Sequence, residues 1–215
     1  MSENIITVTN VSKHFKEGTA LKNVTIAFEK GKIHGIIGRN GSGKTVLFKC
    51  ICGFIPPSAG EIVVSGKVIG KDTDIPDNVG IIIESPSFLP NYSGYKNLRL
   101  LASINNRINK DTIRAAMTKV GLDPDSKKHV KKYSMGMRQR LGIAQAIMED
   151  PEILILDEPM NGLDHAGVKE IRQLLKGLRD DGKTIILSSH NSEDIQELCD
   201  TVCEMDAGIL KVKQR

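Results

Sequence analysis

Glycine, lysine and hydroxyl residues fall at a spacing suited to phosphate in GRNGSGKT, residues 38–45, which fits the pattern G-x-x-x-x-G-K-[ST]. Gly38, Gly41 and Gly43 let the backbone turn tightly and aim several N–H groups inward, with Asn40 and Ser42 between them. A helix opening at Lys44 adds the partial positive charge of its N-terminus. Lys44 supplies a point charge for the β- and γ-phosphates of a nucleoside triphosphate, and Thr45 can set its hydroxyl on Mg²⁺. A second segment, ILILDEP at 153–159, ends an apolar run on two acids. Asp157 suits Mg²⁺, directly or through water, and Glu158 can orient and polarise an attacking water. That pairing favours hydrolysis over phosphoryl transfer to an acceptor. The bland readings are a glycine-rich turn and two surface acids before Pro159. The strand before residues 38–45 and the helix after them argue against the first.

A third carboxylate stands in VGIIIESPSFLP, residues 79–90. Glu84 closes an apolar run, where a charge is costly to desolvate. Either the strand reaches the surface there, or a cation waits at that edge.

The elements that must position these groups read as follows. Ile5–Val11 and Val24–Phe28 look like a hairpin, with the turn-like FKEGTALKN between them. Ile33–Ile37 is a short apolar strand, and the helix from Lys44 turns Val46, Leu47 and Cys50 inward before ending near Gly53. Glu61–Val64 and Val79–Ile83 are further strands. Between Pro86 and Pro151 strand signals vanish, while Leu98, Leu101, Ala102 and Asn105, then Ile113, Ala116, Met117 and Val120, keep helical spacing. Ile153–Leu156 and Thr184–Leu187 are apolar runs separated by a helical Val168–Leu178. Strands alternating with helices predict an α/β fold whose central sheet is mostly parallel and covered on both faces. In such sheets ligands bind beyond the carboxyl ends of the strands, where Glu84, Asp157 and Glu158 all fall.

The 215 residues are 26% charged and 40% hydrophobic, with a net charge of +4, as in an ordinary soluble domain. The basic run Lys127-Lys128-His129, then Lys131-Lys132, reads as a solvated loop. No apolar run approaches the ~18 residues needed to span a bilayer, and MSENIITVTN lacks the basic and apolar regions of a signal peptide. Cysteines 50, 52, 199 and 203 have no nearby His to complete a zinc pattern and suit reduced packing positions in a cytoplasmic protein.

YSMGMRQR at 133–140, NGLD at 161–164 and LSSH at 187–190 complete an ordered set with the two phosphate-handling segments. Together they resemble the ATPase subunit of ATP-binding cassette (ABC) transporters, over about residues 5–212. The resemblance implies a P-loop NTPase core at about 1–85 and 151–215, with an N-terminal antiparallel β subdomain, and a helical lobe at about 86–150. It implies ATP and Mg²⁺ as ligands. Gly38, Asn40, Gly41, Ser42, Gly43, Lys44 and Thr45 would hold the phosphates, with Val46 beside them and Phe15 stacking on adenine. Thr45, Asp157 and Glu84 would attend the metal. Glu158 would be the general base, Lys44 and His190 would contact the γ-phosphate, and Asp164 would communicate between paired subunits. Ser134 and Gly136 would serve a nucleotide held by the opposite cassette.

The chain departs from the family at two places. Its signature segment is Tyr133-Ser134-Met135-Gly136-Met137 rather than Leu-Ser-Gly-Gly-Gln, similar to variants in bacterial ATPases of bacitracin- and lantibiotic-type exporters. Glu84 stands where a glutamine is usual. With one P-loop and one signature, the chain must pair with a copy of itself or a relative. The function so implied is ATP hydrolysis driving transport, with a lean toward export, through a separate membrane-spanning permease at the inner face of the cell membrane. The segment Phe88–Tyr95 either presses on that permease or packs inside the lobe. A soluble cassette ATPase acting on ribosomes or nucleic acid is the competing class; such proteins usually join two cassettes or carry long coiled coils. A nucleoside kinase leaves residues 133–140, 161–164 and 187–190 without a role.

Overall fold

Two sheets share one sequence but follow different rules. The computed structural model describes residues 3–213. Strands β1 (Asn4–Phe15) and β2 (Gly18–Glu29) form a long antiparallel hairpin. With β4 (Ala59–Val64) and β5 (Lys67–Val68) they make a four-stranded sheet in the order β2-β1-β4-β5. The second sheet has six strands in the order β10-β9-β3-β8-β7-β6. Its members are β3 (Ile33–Ile37), β6 (Val79–Ile82), β7 (Ile153–Leu156), β8 (Thr184–Ser188), β9 (Thr201–Asp206) and β10 (Ile209–Lys213). All neighbours in it are parallel except β10 on β9.

The hairpin is longer than its sequence pattern predicts. Its turn lies between Phe15 and Gly18, so Gly18–Asn23, expected as turn, belongs to β2. The reason is irregular register. Asn10 and Asn23 take positive φ (51° and 48°), and pairing shifts on both sides of Val11. Each shift breaks the two-residue alternation by which a strand is legible.

Strands β3, β7 and β8 are apolar almost without interruption because both faces are covered. The pleat sends Ile33, Leu154, Leu156, Ile185 and Leu187 into one core and Ile36, Ile153, Ile155 and Ile186 into the other. The second core is closed by α1 (Lys44–Ile51) and the antiparallel sheet. The first is closed by α5 (His165–Asp180), α6 (Ser192–Leu198) and the helices between β6 and β7. Those are α2 (Gly94–Asn105), α3 (Lys110–Lys119) and α4 (Met135–Ile147). Ile113, Ala116, Met117 and Val120 are buried as their spacing predicts, whereas Asn105 is exposed and reaches Glu149 instead. Ser93, Asn109, Ser134 and Asp164 each accept a backbone N–H as N-caps, which fixes where α2, α3, α4 and α5 begin.

None of the four cysteines is in a disulfide, and all are buried. Burial pushes the Cys50 and Cys203 thiols up to about 11 and Cys52 up to about 12. They pack as thiols and are poor nucleophiles at neutral pH.

Candidate active site

Parallel pairing of β3, β8, β7 and β6 brings their carboxyl ends to one edge of the sheet. Residues 38–43 leave β3 there and turn into α1. Gly38, Gly41 and Gly43 take φ of 153°, 77° and 115°. A Cβ at Gly38 would stand 2.2 Å from the Met205 carbonyl oxygen, and one at Gly43 2.7 Å from that of Ala20. Glycine is required at both places for conformation and for room. Lys44 arches back over the loop, its Nζ donating to the carbonyls of Gly38 (2.6 Å) and Arg39 (3.2 Å). Asn40–Val46, with Ala20, Asp157 and Glu158, line a cleft of about 280 Å³.

A chain of hydrogen bonds crosses the strand ends. Thr45 Oγ1 donates to Asp157 Oδ2 at 2.7 Å, and Ser188 Oγ donates to Asp157 Oδ1 at 2.6 Å. The same Ser188 oxygen accepts the Glu158 N–H at 2.9 Å. Glu158 sits at φ 51°, a left-handed conformation that turns the chain sharply after β7. His190 Nδ1 donates to Glu158 Oε2 at 2.9 Å. Gln139 Nε2, from α4, donates to the carbonyls of Glu158 (3.2 Å) and Pro159 (3.0 Å) and ties the helical lobe to the acidic turn.

Glu158 Oε1 and Ser42 Oγ are buried without a hydrogen-bond partner. Such atoms are rare in folded proteins and call for water or a ligand. The Thr45 hydroxyl and the Asp157 carboxylate are hard oxygen donors of the kind Mg²⁺ takes. No group of three or more His, Cys, Asp or Glu side chains among the described residues is arranged to hold a metal. The remaining ligands of a Mg²⁺ here would therefore be phosphate and water oxygens, as its coordination habits favour.

The other residues singled out in the sequence lie around this cleft rather than in its walls. Glu84 follows β6 at φ 62°, and the cation at that edge is Lys49 of α1, whose Nζ is 2.6 Å from Glu84 Oε1. Phe15 ends β1 half exposed, with Lys13 Nζ 5.2 Å from its ring centre, so it is no core residue. Ser134 caps α4 by accepting the Met137 N–H at 3.1 Å. Gly136 lies against residues 161–164, where an added Cβ would come 2.9 Å from the Gly162 oxygen. Asp164 caps α5 through the Gly167 N–H at 2.9 Å.

Ser188, Gln139, Ala20 and Lys49 are site residues that the sequence did not single out. Ser188 and Gln139 stand inside quoted segments, so their motifs were the available signal. Ala20 and Lys49 have none, since their places depend on the hairpin and on α1 meeting the end of β6.

Comparison with known proteins agrees with this arrangement. Residues 21–161 match the family model for ABC transporter. The chain is 42% identical over 211 residues to the ABC transporter ATP-binding protein YybJ of Bacillus subtilis (strain 168), covering 98% of this chain and 97% of YybJ. It is 40% identical to the bacitracin transport ATP-binding protein BcrA of Enterococcus faecalis, covering 97% of this chain and 68% of BcrA. It is 35% identical to the lantibiotic transport ATP-binding protein SrtF of Streptococcus pyogenes, covering 92% of this chain and 85% of SrtF. In fold it superposes on the dimeric post-hydrolysis structure of the ATP-binding cassette MJ0796 bound to ADP and Pi with a TM-score of 0.88 at 23% identity, covering 97% and 98% of the two chains. The chain belongs to the ABC transporter family. It is an ATP-binding, ATP-hydrolysing subunit of an ABC transporter, and transport is favoured over action on ribosomes or nucleic acid.

Proposed function

We propose that the cleft over residues 38–45 holds Mg²⁺–ATP, that Glu158 is the general base, and that two such cassettes pair to drive a membrane permease. The carrying observation is the pair of oxygens on Glu158. Oε2 is engaged by His190, while Oε1 is buried and unpartnered beside the phosphate loop. A carboxylate held by one oxygen and free at the other is oriented to accept a proton from water.

The remaining roles follow from the same geometry. The amides of Gly38–Gly43 and the start of α1 attract the phosphates, with Asn40 and the free Ser42 hydroxyl beside them and Val46 at the cleft wall. Lys44 exchanges its carbonyl partners for β- and γ-phosphate oxygens. Thr45 and Asp157 would hold Mg²⁺, which when bound neutralises phosphate charge as it develops in the transition state. Ser188 fixes both the Asp157 carboxylate and the Glu158 backbone. His190 orients Glu158 and reaches toward the γ-phosphate. Phe15 offers an exposed ring to adenine.

The partners are read from the relatives' names and from the divided site. Ser134, Gly136 and Asp164 lie outside the chain's own cleft and would complete the partner's. No helix among the described residues is long and apolar enough to cross a membrane, so the pore would come from a separate permease, and the chain would sit on it at the inner face. Similarity to BcrA and SrtF favours export, with an antimicrobial peptide as cargo.

Steady-state hydrolysis and nucleotide binding by two variants test the site. Glu158→Gln should retain ATP binding and lose roughly 10²–10⁴-fold in kcat, the size of a general-base contribution. Lys44→Ala should weaken ATP binding by roughly 10- to 100-fold, the loss of a charged hydrogen bond. Normal turnover in both folded variants would remove the assignment.

A further inference from the structure

Residues 188, 189 and 190 are consecutive, yet only the first and last touch the acidic pair. Ser188 reaches Asp157 and the Glu158 amide, and His190 reaches the Glu158 carboxylate. Ser189 between them is 3% exposed and faces away, its Oγ donating to Asp194 Oδ2 at 2.8 Å. The same oxygen accepts the Asn191 N–H at 3.1 Å. Asp194 is 3% exposed too, and its other oxygen takes both Nε (2.9 Å) and Nη2 (2.6 Å) of Arg172. Arg172 Nη1 goes on to Glu197 at 2.6 Å.

We infer that Arg172, Asp194 and Ser189 form a positioning network that sets His190, and through it the free oxygen of Glu158, for hydrolysis. This rests on the assignment of Glu158 and His190 proposed above.

The physical reason is the weakness of every other hold on His190. Its side chain is two-thirds exposed, and its ring is held through Glu158 Oε2, which the His190 N–H also faces at 3.4 Å. An imidazole so placed takes its direction from its backbone. That backbone is pinned before His190 by the end of β8 and after it by the Asn191 N–H on Ser189 Oγ, and the Ser189 hydroxyl itself donates to one buried carboxylate. A buried carboxylate keeps one geometry only when both oxygens are engaged, and here Arg172 engages the second. Arg172 lies on α5, whose N-cap is Asp164, and α5 is a continuous sixteen-residue helix. The His190 turn is thereby referenced to the helix that begins at the 161–164 loop rather than to solvent. A cleft of about 600 Å³ runs between Glu158, Asp164, Arg172 and His190, so these groups line one wall system and not separate surfaces.

Single and double variants of the full chain test this, with kcat, KM for ATP and melting temperature measured for each. Ser189→Ala removes one hydroxyl and leaves the buried Arg172–Asp194 pair intact, so it should fold. Its kcat should fall about tenfold, with KM within about twofold of wild type and a melting temperature only about 2–10 °C lower, because Asp194 Oδ2 stays buried without its donor. On a His190→Ala background, followed by single turnover, the same change should cost less than about twofold, because the network acts through His190. Arg172→Lys should fall between wild type and Arg172→Ala, since a lysine keeps the charge and loses the fork. Full kcat in Ser189→Ala, or a loss that multiplies undiminished with His190→Ala, overturns the network. Full turnover in His190→Ala and Glu158→Gln themselves overturns the underlying site assignment instead, and the two failures are distinct.

Discussion

Lys49 Nζ and Glu84 Oε1 meet at 2.6 Å, joining the helix that springs from the phosphate loop to the chain that leads into the helical lobe. Glu84 is 63% exposed on its side chain, so the pair itself adds about 0–1 kcal/mol to stability. Its interest is electrostatic. Lys49 is one helical turn from Thr45, and the carboxylate it holds stands where the resemblance leads one to expect a neutral amide. Glu84→Gln should leave ATP binding intact and raise the Mg²⁺ needed for half-maximal nucleotide binding and turnover about three- to tenfold. Lys49→Met, which releases the carboxylate, should lower it. Magnesium titrations that coincide with wild type for both variants would remove Glu84 from the metal's surroundings.

Pairing is open to a concentration test. Ser134 and Asp164 serve as caps within their own chain, and in the proposed assembly their remaining capacity is used by a second cassette. Hydrolysis per chain should fall in step with dilution once the protein is monomeric by sedimentation. A constant rate per chain in a proven monomer contradicts the paired site.

His34 predicts a pH limit on stability. Its ring lies at the edge of Phe28, with Nε2 donating to the Glu29 carbonyl at 2.9 Å and Nδ1 2.6 Å from the Thr201 hydroxyl. Desolvation by burial holds its pKa below the ordinary 6.5, against smaller opposing effects from Glu29 and Asp200. The folded state therefore prefers the neutral ring. Its contribution is fully present above about pH 6.5 and is lost as pH falls toward the depressed folded value. Urea unfolding at pH 8 and at pH 5.5 should show a loss at the lower pH that His34→Gln diminishes. An equal loss in the variant would assign the effect to other groups.

At Gly80 the lobe lies hard against the sheet. A Cβ there would stand 2.0 Å from the Ala146 oxygen of α4 and 2.7 Å from Leu154 Cδ2. Backbone cannot yield as a side chain does, so Gly80→Ala should destabilise by about 1–3 kcal/mol. For a chain of this size that is a fall of roughly 2–12 °C in melting temperature. An unchanged melting temperature would mean that α4 can shift freely over β6.

The legible parts of the protein are those written in contiguous residues. Ile33–Ile37 followed by three glycines and Lys44, or Ile153–Leu156 followed by Asp157 and Glu158, carry strand, turn and chemistry together. Helices α2 and α3 were legible for the same reason: their apolar spacing repeats every turn. The long hairpin was only partly so, because Asn10 and Asn23 break its alternation with positive φ. Ser188 stood inside a quoted segment without a role, since nothing in Leu187–His190 says which serine faces Asp157 and which faces Asp194.

By itself, then, the sequence determined that a phosphate loop and an acid pair end two buried strands of a mostly parallel sheet, since local spacing dictates local backbone. Only the tertiary structure decided that Lys49 answers Glu84, that Ser188 bridges Asp157 to the Glu158 amide, and that Arg172 reaches Ser189 through Asp194. The Lys49–Glu84, Ser188–Glu158 and Arg172–Asp194 contacts join residues 22 to 35 positions apart, and the adjacent Ser188 and Ser189 point opposite ways. Their geometry comes from strand order and helix packing, which no short window of residues contains.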